Sequence, residues 1–500
     1  MRTSIGLLLV AVTIGVSAQT PFADIDALFR EFVAANHVPG AAWGVMIGGR
    51  LVHTGSAGAR ELVTGATPDA DTVFRIASMT KSFTAMAILA LRDEGKLALD
   101  DPVERYVPEL ASLAYPTTDS PKITIRHLLS HSEGFPEDNP WGDQQLALSD
   151  AQLAAMLRRG IPFSNAPGVA YEYSNYGFMI LGRVVSRASG MPYEQFVTAR
   201  ILKPLGMAST TLEPSRVPAN RLAHGYRWED DRWKEERQLP YGAGGSMGGM
   251  LTSINDLSKY VAVYLSAWPP HDGPEAAPVR RASLREMQQM WRPAGATVIR
   301  DAGGAIQLSA GGYGFGLRVS QSCRFKYIVS HSGGLPGFGS IMQWLPDYGA
   351  AVIAFGSATY TGWGRVVSTV FETLAKDGRI QPRAVTPSRA LTEARDAVSQ
   401  LVIKWDDALA DRIAAENLFL DQAKDRRRAA MEALREKAGA CRLPTVFDDV
   451  ENALRGRWTL HCERENLQVS ITLAPTEPPT VQLLSVTPAR PVQMEACPSS

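Results

Sequence analysis

The apolar positions of this chain change period several times, and the changes divide it into elements. Residues 24–36 place Ile25, Leu28, Phe29 and Phe32 on one face at helical spacing. Residues 41–58 alternate loosely and carry Gly48-Gly49, a hairpin signal. In residues 78–94, Phe83, Met86, Ile88, Leu89 and Leu91 point several ways round a helix, which predicts burial on nearly all sides. Gly95 supplies the stop. Residues 100–250 read as mostly helical and rich in loops. From Gly312 the pattern turns to short strands at 313–319, 327–331, 340–345 and 350–355, with Gly, Pro and Asp at the turns. A helix at 362–377 is expected to pack on that sheet. Residues 381–390 then read as a linker between domains at 19–380 and 391–500. In the second domain, Leu391, Ala394, Val398, Leu401, Trp405, Leu409 and Ile413 recur at helical spacing. A charged helix over 422–437 and strands at 457–462, 467–473 and 481–486 complete a small α+β unit. The pattern alone gives mixed α and β for the larger domain.

Composition narrows the setting. Lys+Arg and Asp+Glu both number 51, so no net field favours nucleic acid or an acidic membrane. The cluster Arg426-Arg427-Arg428 reads as a solvated helix face. With 45% hydrophobic and 20% charged residues, the 500-residue chain has material for a large core. Arg2, the apolar run 5–16 and Val16-Ser17-Ala18 form an export-signal pattern, with cleavage expected after Ala18 and a periplasmic or secreted product. That run is too short to span a bilayer comfortably, and no later stretch is long and apolar enough. Residue 19 is Gln, so a lipid-anchor signal is absent. Four cysteines fit an oxidising compartment. They allow three pairings, of which Cys441 with Cys462 is preferred over those using Cys323 or Cys497.

The chemistry is concentrated in three ordered motifs. Ser78-Met79-Thr80-Lys81 stands where a strand-like run turns into a helix. Three residues apart on a helix, Ser78 and Lys81 share a face. Serine is a weak nucleophile unless a base lies beside it. Lysine can be that base if burial lowers its pKa. Tyr173-Ser174-Asn175 and His331-Ser332-Gly333-Gly334 follow downstream. With these motifs and the segments around His127–Ser132 and Leu335-Pro336-Gly337, the chain resembles the serine β-lactamase and penicillin-binding protein superfamily over roughly residues 22–380. Its branch is that of class C β-lactamases, D,D-peptidases and family VIII esterases. The resemblance implies an α+β fold: an antiparallel sheet flanked by helices, with an inserted helical subdomain. The C-terminal domain's outline is similar to cystatin-like and NTF2-like folds.

What the resemblance implies for the site is specific. Ser78 would form an acyl-enzyme, while Lys81 and Tyr173 share the proton transfers; which is the dominant base stays open. Tyr173 would need the ammonium of Lys81 nearby to become a phenolate. Asn175, His331, Gly333 and Gly334 would bind substrate, with the backbone N–H groups of Ser78 and Gly334 as oxyanion hole. Class C β-lactamases carry lysine where this chain has His331, and a partly charged histidine grips a carboxylate less firmly. Peptide, amide or ester hydrolysis, as in D,D-peptidases, D-aminopeptidases or esterases, therefore ranks above β-lactam hydrolysis. A non-catalytic penicillin-binding sensor is the alternative from another class. The expected partner is a small-molecule or peptide substrate. No cofactor and no metal is expected, although His127 and His131 have a metal-like spacing of four. Gly244-Gly245-Ser246-Met247-Gly248 matches a nucleophile elbow, but Tyr241-Gly242-Ala243 before it does not read as a buried strand.

Overall fold

A computed structural model describes residues 21–275, 278–300 and 306–489. The expected export signal and Cys497 lie outside the described residues. The chain forms two compact units, the first ending at Gln381 and the second beginning at Pro382.

In the first unit, helix α1 (Ala23–Ala35) leads into strands β1 (Gly40–Ile47) and β2 (Arg50–Gly58). Gly48 and Gly49 join these strands, both at positive φ, as a twisted two-residue hairpin requires. Six more strands come late in the chain: β3 (Arg292–Arg300), β4 (Ile306–Tyr313), β5 (Arg318–Ser322), β6 (Ile328–Leu335), β7 (Phe338–Leu345) and β8 (Ala350–Gly356). All eight make one antiparallel sheet in the order β2-β1-β8-β7-β6-β5-β4-β3.

Strand alternation divides the core between the two faces of this sheet. Trp43, Val45, Val352 and Ala354 pack with Ile25 and Phe29 of α1. Val367 and Phe371 of the late helix Gly364–Lys376 join the same cluster. Ala42, Met46, Ile353 and Phe355 face the other way, toward the inserted helical region. There helix α2 (Thr80–Asp93) is buried at every position from Thr80 through Leu91. Helices α3 (Asn175–Ser189) and α4 (Ile254–Ser266) surround it.

The expected strand at 313–319 is not one strand. Tyr313 ends β4 and Arg318 begins β5, with a turn between them in which Gly316 has φ 66°. A Cβ on Gly316 would lie 2.7 Å from the Lys81 carbonyl oxygen, so the turn packs directly on α2. The preceding hairpin strand β3 gave no sequence signal because its apolar residues include exposed Val298.

In the second unit, the long period over 391–413 is broken as well. One helix covers Arg389–Ile403, and Asp406 then caps a separate helix, Asp407–Ile413, by accepting from the Leu409 N–H at 2.7 Å. The charged helix is Lys424–Ala438. Four antiparallel strands follow: Asp449–Asn452, Arg455–Leu460, Leu467–Leu473 and Val481–Pro488, in that order across the sheet. The core of this unit gathers Leu391, Val398, Trp458, Val469 and Ile471. A disulfide joins Cys441 and Cys462. No helix among the described residues is long and apolar enough to cross a membrane.

Strand β6 positions the site because it passes close to the chain entering α2. A Cβ on Gly333 would lie 2.1 Å from the Ile76 carbonyl oxygen, which is backbone and cannot rotate away. Gly333→Ala is therefore expected to destabilise the first unit by roughly 1–3 kcal/mol, the usual range for overpacking. Urea denaturation checks this; a midpoint equal to that of the parent chain would contradict it.

Candidate active site

The turn that presents Ser78 is pinned from every side. Ala77, just before it, is held at φ 48°, a left-handed conformation that a residue with a Cβ rarely adopts. Ser340 Oγ donates to the Ile76 carbonyl at 2.9 Å, and Thr80 Oγ1 donates to the Ala77 carbonyl at 2.7 Å. Arg75, itself buried, donates to the carbonyls of Gly249 and Leu239 and ties this turn to the 239–249 segment. A short 3₁₀ turn, Ala77–Met79, then opens into α2.

Lys81 is completely buried beneath that turn. Its Nζ donates to Ser78 Oγ at 3.1 Å, to Asn175 Oδ1 at 2.6 Å and to the Met247 carbonyl at 2.9 Å. Burial lowers the pKa of Lys81 to about 7, with Arg318 pushing the same way and Asp138, Asp143 and Glu137 opposing. A free-amine form is thus accessible near neutral pH, in contact with the serine hydroxyl.

Tyr173 stands over the same nitrogen. Its ring centroid lies 4.8 Å from Lys81 Nζ and 5.8 Å from the guanidinium carbon of Arg318. Burial pushes the phenol well above its ordinary value, while a hydrogen bond with Ser78 and the charge of Arg318 pull it back only in part. The condition set for a phenolate, a cation beside the ring, is met by Lys81 and Arg318, but desolvation outweighs their pull. Burial thus favours the neutral form of both side chains, the phenol of Tyr173 and the amine of Lys81.

The motif Tyr173-Ser174-Asn175 is held by residues 131–138. His131 Nδ1 accepts from the Ser174 N–H at 3.1 Å. Asp138 accepts from the N–H groups of Asn175 at 2.7 Å and Tyr176 at 2.8 Å, at the positive end of α3. The Asn175 side chain also donates to Asn139 Oδ1 at 2.5 Å, which turns its own oxygen toward Lys81. Sequence reasoning missed Asp138; a Pro-Glu-Asp-Asn-Pro stretch after the His-x-x-x-His segment was its only signal. His127 and His131 do not converge. His127 Nδ1 accepts from the Thr124 N–H to cap a one-turn helix, whereas His131 sits among Tyr173, Phe178 and Tyr313.

His331 needs a correction. Its ring is buried, Nδ1 donates to the Ser332 carbonyl at 2.6 Å and Nε2 accepts from the Tyr313 hydroxyl at 2.7 Å. Burial, with Lys81 and Arg318 nearby, drives its pKa well below the ordinary value. It is a neutral strut rather than a partly charged grip. The exposed cation beside the site is Arg318, at the start of β5. It went unread because the sequence pattern placed it inside a longer strand. Gly333 and Gly334 lie on β6 next to the Ser78 turn.

Ser246 is not an elbow nucleophile. It lies buried in a single helical turn, Gly245–Gly248, with no strand immediately before it, and its Oγ donates to the Phe178 carbonyl at 2.9 Å. The adjacent Met247 carbonyl is what serves Lys81.

A family model described as Beta-lactamase matches residues 25–375. The chain belongs to the Beta-lactamase family. It is 28% identical over 315 residues to penicillin-binding protein 4* of Bacillus subtilis, an alignment covering 59% of this chain and 63% of that relative. It is 28% identical over 339 residues to protein flp of Staphylococcus aureus, covering 66% and 62%. The chain thus spans a little under two thirds of the length of these curated relatives. Among solved structures, an octameric penicillin-binding protein homologue from Pyrococcus abyssi aligns with TM-score 0.60 at 19% identity, over 94% of this chain and 97% of that one. A class C β-lactamase aligns with TM-score 0.56 at 19% identity, over 71% and 96%. Both likenesses concern the fold, which is the serine β-lactamase and penicillin-binding protein fold expected from the motifs.

Glu133 is an unexpected member of the 131–138 segment. It is completely buried, and neither carboxyl oxygen makes a hydrogen bond of ordinary geometry, although the Ser174 side chain lies close enough to offset the burial in part. A Cβ on Gly177 would lie 2.2 Å from Oε1, so a glycine in the first turn of α3 makes room for it. Burial raises its pKa well above the carboxylate range, so the folded chain holds a proton that the unfolded chain releases. Stability should therefore fall as pH rises above the unfolded value of about 4.5. Glu133→Gln should unfold at higher urea than the parent chain at pH 8, and the gap should close at pH 4. A gap independent of pH would contradict the protonated state.

Proposed function

We propose that this chain is an exported serine hydrolase that works through an acyl-enzyme on Ser78. The observation that carries the reading is the buried Lys81 amine, 3.1 Å from Ser78 Oγ and titrating near neutral pH. Lys81 takes the Ser78 proton as Oγ attacks a carbonyl carbon. The N–H groups of Ser78 and Gly334 stabilise the oxyanion. The proton passes to the leaving group through Tyr173, which donates its own and recovers one from Lys81. Water then repeats the sequence on the acyl-enzyme. Asn175 fixes the Lys81 amine and contacts the acyl group.

Peptide, amide or ester substrates are favoured over β-lactams, by analogy with D,D-peptidases, D-aminopeptidases and esterases. A neutral His331 offers no cation, and Gly333 serves close packing. Arg318 supplies the charge instead, beside Tyr173 where the leaving group departs, and suits a carboxylate on that group. The competing readings are a β-lactamase and a sensor that binds penicillin without turnover. One purified sample tested on p-nitrophenyl acetate, a D-Ala-D-Ala peptide and nitrocefin separates them. Repeated turnover, abolished in Ser78→Ala, is expected on the first two. A single stoichiometric burst would favour the sensor, and nitrocefin as best substrate by kcat/KM would favour the β-lactamase.

The proton path has its own test. Because the active form of Lys81 is neutral, kcat/KM on a neutral ester should rise with pH, bend near 7 and level off above it. Lys81→Ala and Tyr173→Phe should each lose roughly 10²–10⁴-fold in rate. Residues acting as a unit are not additive, so the double variant should lose little more. Losses that multiply would show two independent roles.

A further inference from the structure

On one side of the cleft, the ring of Tyr360 rests against β6. A Cβ on Gly334 would come within 2.6 Å of Tyr360 Cδ1, so glycine at 334 is what lets the ring lie there. On the other side, residues 142–145 form a single turn on top of Asn175. A Cβ on Gly142 would lie 2.5 Å from Asn175 Nδ2. The two sides meet in one hydrogen bond: the Tyr360 hydroxyl donates to Asp143 Oδ2 at 2.8 Å, across 217 residues of sequence.

Tyr360 is not placed there by burial. The residue is 46% exposed, yet its backbone is held at φ 54°. For a bulky residue that conformation is a true outlier and carries strain. The surroundings enforce it: the Tyr360 N–H donates to the Phe338 carbonyl at 3.2 Å and the Thr359 N–H to the Tyr226 carbonyl at 2.9 Å. Asp143, by contrast, is 3% exposed beneath this contact. A strained, half-exposed aromatic reaching a buried carboxyl over the strand that faces the nucleophile marks a boundary of the substrate site.

Which end it bounds follows from the direction of the chemistry, and here the inference rests on the reading that Ser78 is the nucleophile. The leaving group must sit by the proton donor, Tyr173, and by Arg318. The acyl substituent then points the opposite way from Ser78, between Gly334 and Asn175. Those are the two residues that Tyr360 and the 142–145 turn rest on. We propose that Tyr360, latched to Asp143, is the end wall of the acyl subsite and restricts the enzyme to short acyl groups, of acetyl or alanyl size.

The test uses the full chain and p-nitrophenyl acetate, butyrate and octanoate, which share a leaving group and differ only in the acyl chain. The parent chain should prefer acetate to octanoate in kcat/KM. Tyr360→Ala should raise the octanoate-to-acetate ratio by roughly tenfold or more, chiefly through KM for octanoate, the scale expected when a pocket gains room for a few methylenes. Tyr360→Phe keeps the ring and breaks the latch, and should raise the same ratio by a smaller factor, about threefold. It serves as the decisive variant if the alanine chain does not fold. A ratio within twofold of the parent's in a folded Tyr360 variant, with turnover still dependent on Ser78, overturns the wall and leaves the hydrolase reading standing. Undiminished ester turnover in Ser78→Ala would instead overturn the hydrolase reading, and the wall with it.

Discussion

The architecture turns on one buried nitrogen. An ammonium removed from water is stable only if fixed acceptors replace the solvent, and a free amine needs fewer of them. Lys81 has three: Ser78 Oγ, Asn175 Oδ1 and the Met247 carbonyl. They come from the 3₁₀ turn that opens α2, from the start of α3 and from the Gly245–Gly248 turn. Two of these elements are in turn fixed by further contacts. Arg75 ties the Ser78 turn to the 239–249 segment, and Asp138 holds the start of α3. The three acidic groups near Lys81 keep its pKa from falling further than it does. The balance leaves a lysine that exchanges its proton near neutrality, which neither full solvation nor an unrelieved apolar pocket would give.

A second constraint is close backbone approach. Gly333 lets β6 touch the carbonyl of Ile76, Gly316 lets the β4–β5 turn touch that of Lys81, and Gly177 makes space for Glu133. In each case a missing Cβ lets two distant parts of the chain meet: at the Ser78 turn, on α2 and at the start of α3. The sheet therefore acts on the site through its backbone as much as through side chains.

This explains what could be read from the sequence and what could not. Helices α1 and α2, the Gly48-Gly49 hairpin and strands β7 and β8 were legible because each has an unbroken period and a terminating turn residue. The three motifs were legible because their order along the chain is itself a signal. Tyr313 and Arg318 were merged into one strand because the turn between them contains apolar Phe315 and Leu317, which are buried against the core. The helix break at Lys404 was hidden because Leu409 and Ile413 continue the apolar spacing. Asp138, Glu133 and Tyr360 were invisible for a deeper reason. Their roles depend on contacts with residues 36 or more positions away, and no local pattern records those.

The placement of positive charge shows how such long-range constraints decide chemistry. A cation at position 331 would sit in the same buried volume as Lys81, with like charges repelling at low dielectric. The structure resolves this by making His331 neutral, its Nδ1 proton given to the Ser332 carbonyl and its Nε2 lone pair to Tyr313. The charge is carried by Arg318 instead, exposed at the start of β5, and its field adds to the lowering of the Lys81 pKa. Arginine also keeps its charge throughout the range in which Lys81 titrates, which histidine would not. The fixed charge of Arg318 is thereby separated from the titrating nitrogen of Lys81, so a pH change that alters Lys81 leaves the charge of Arg318 in place.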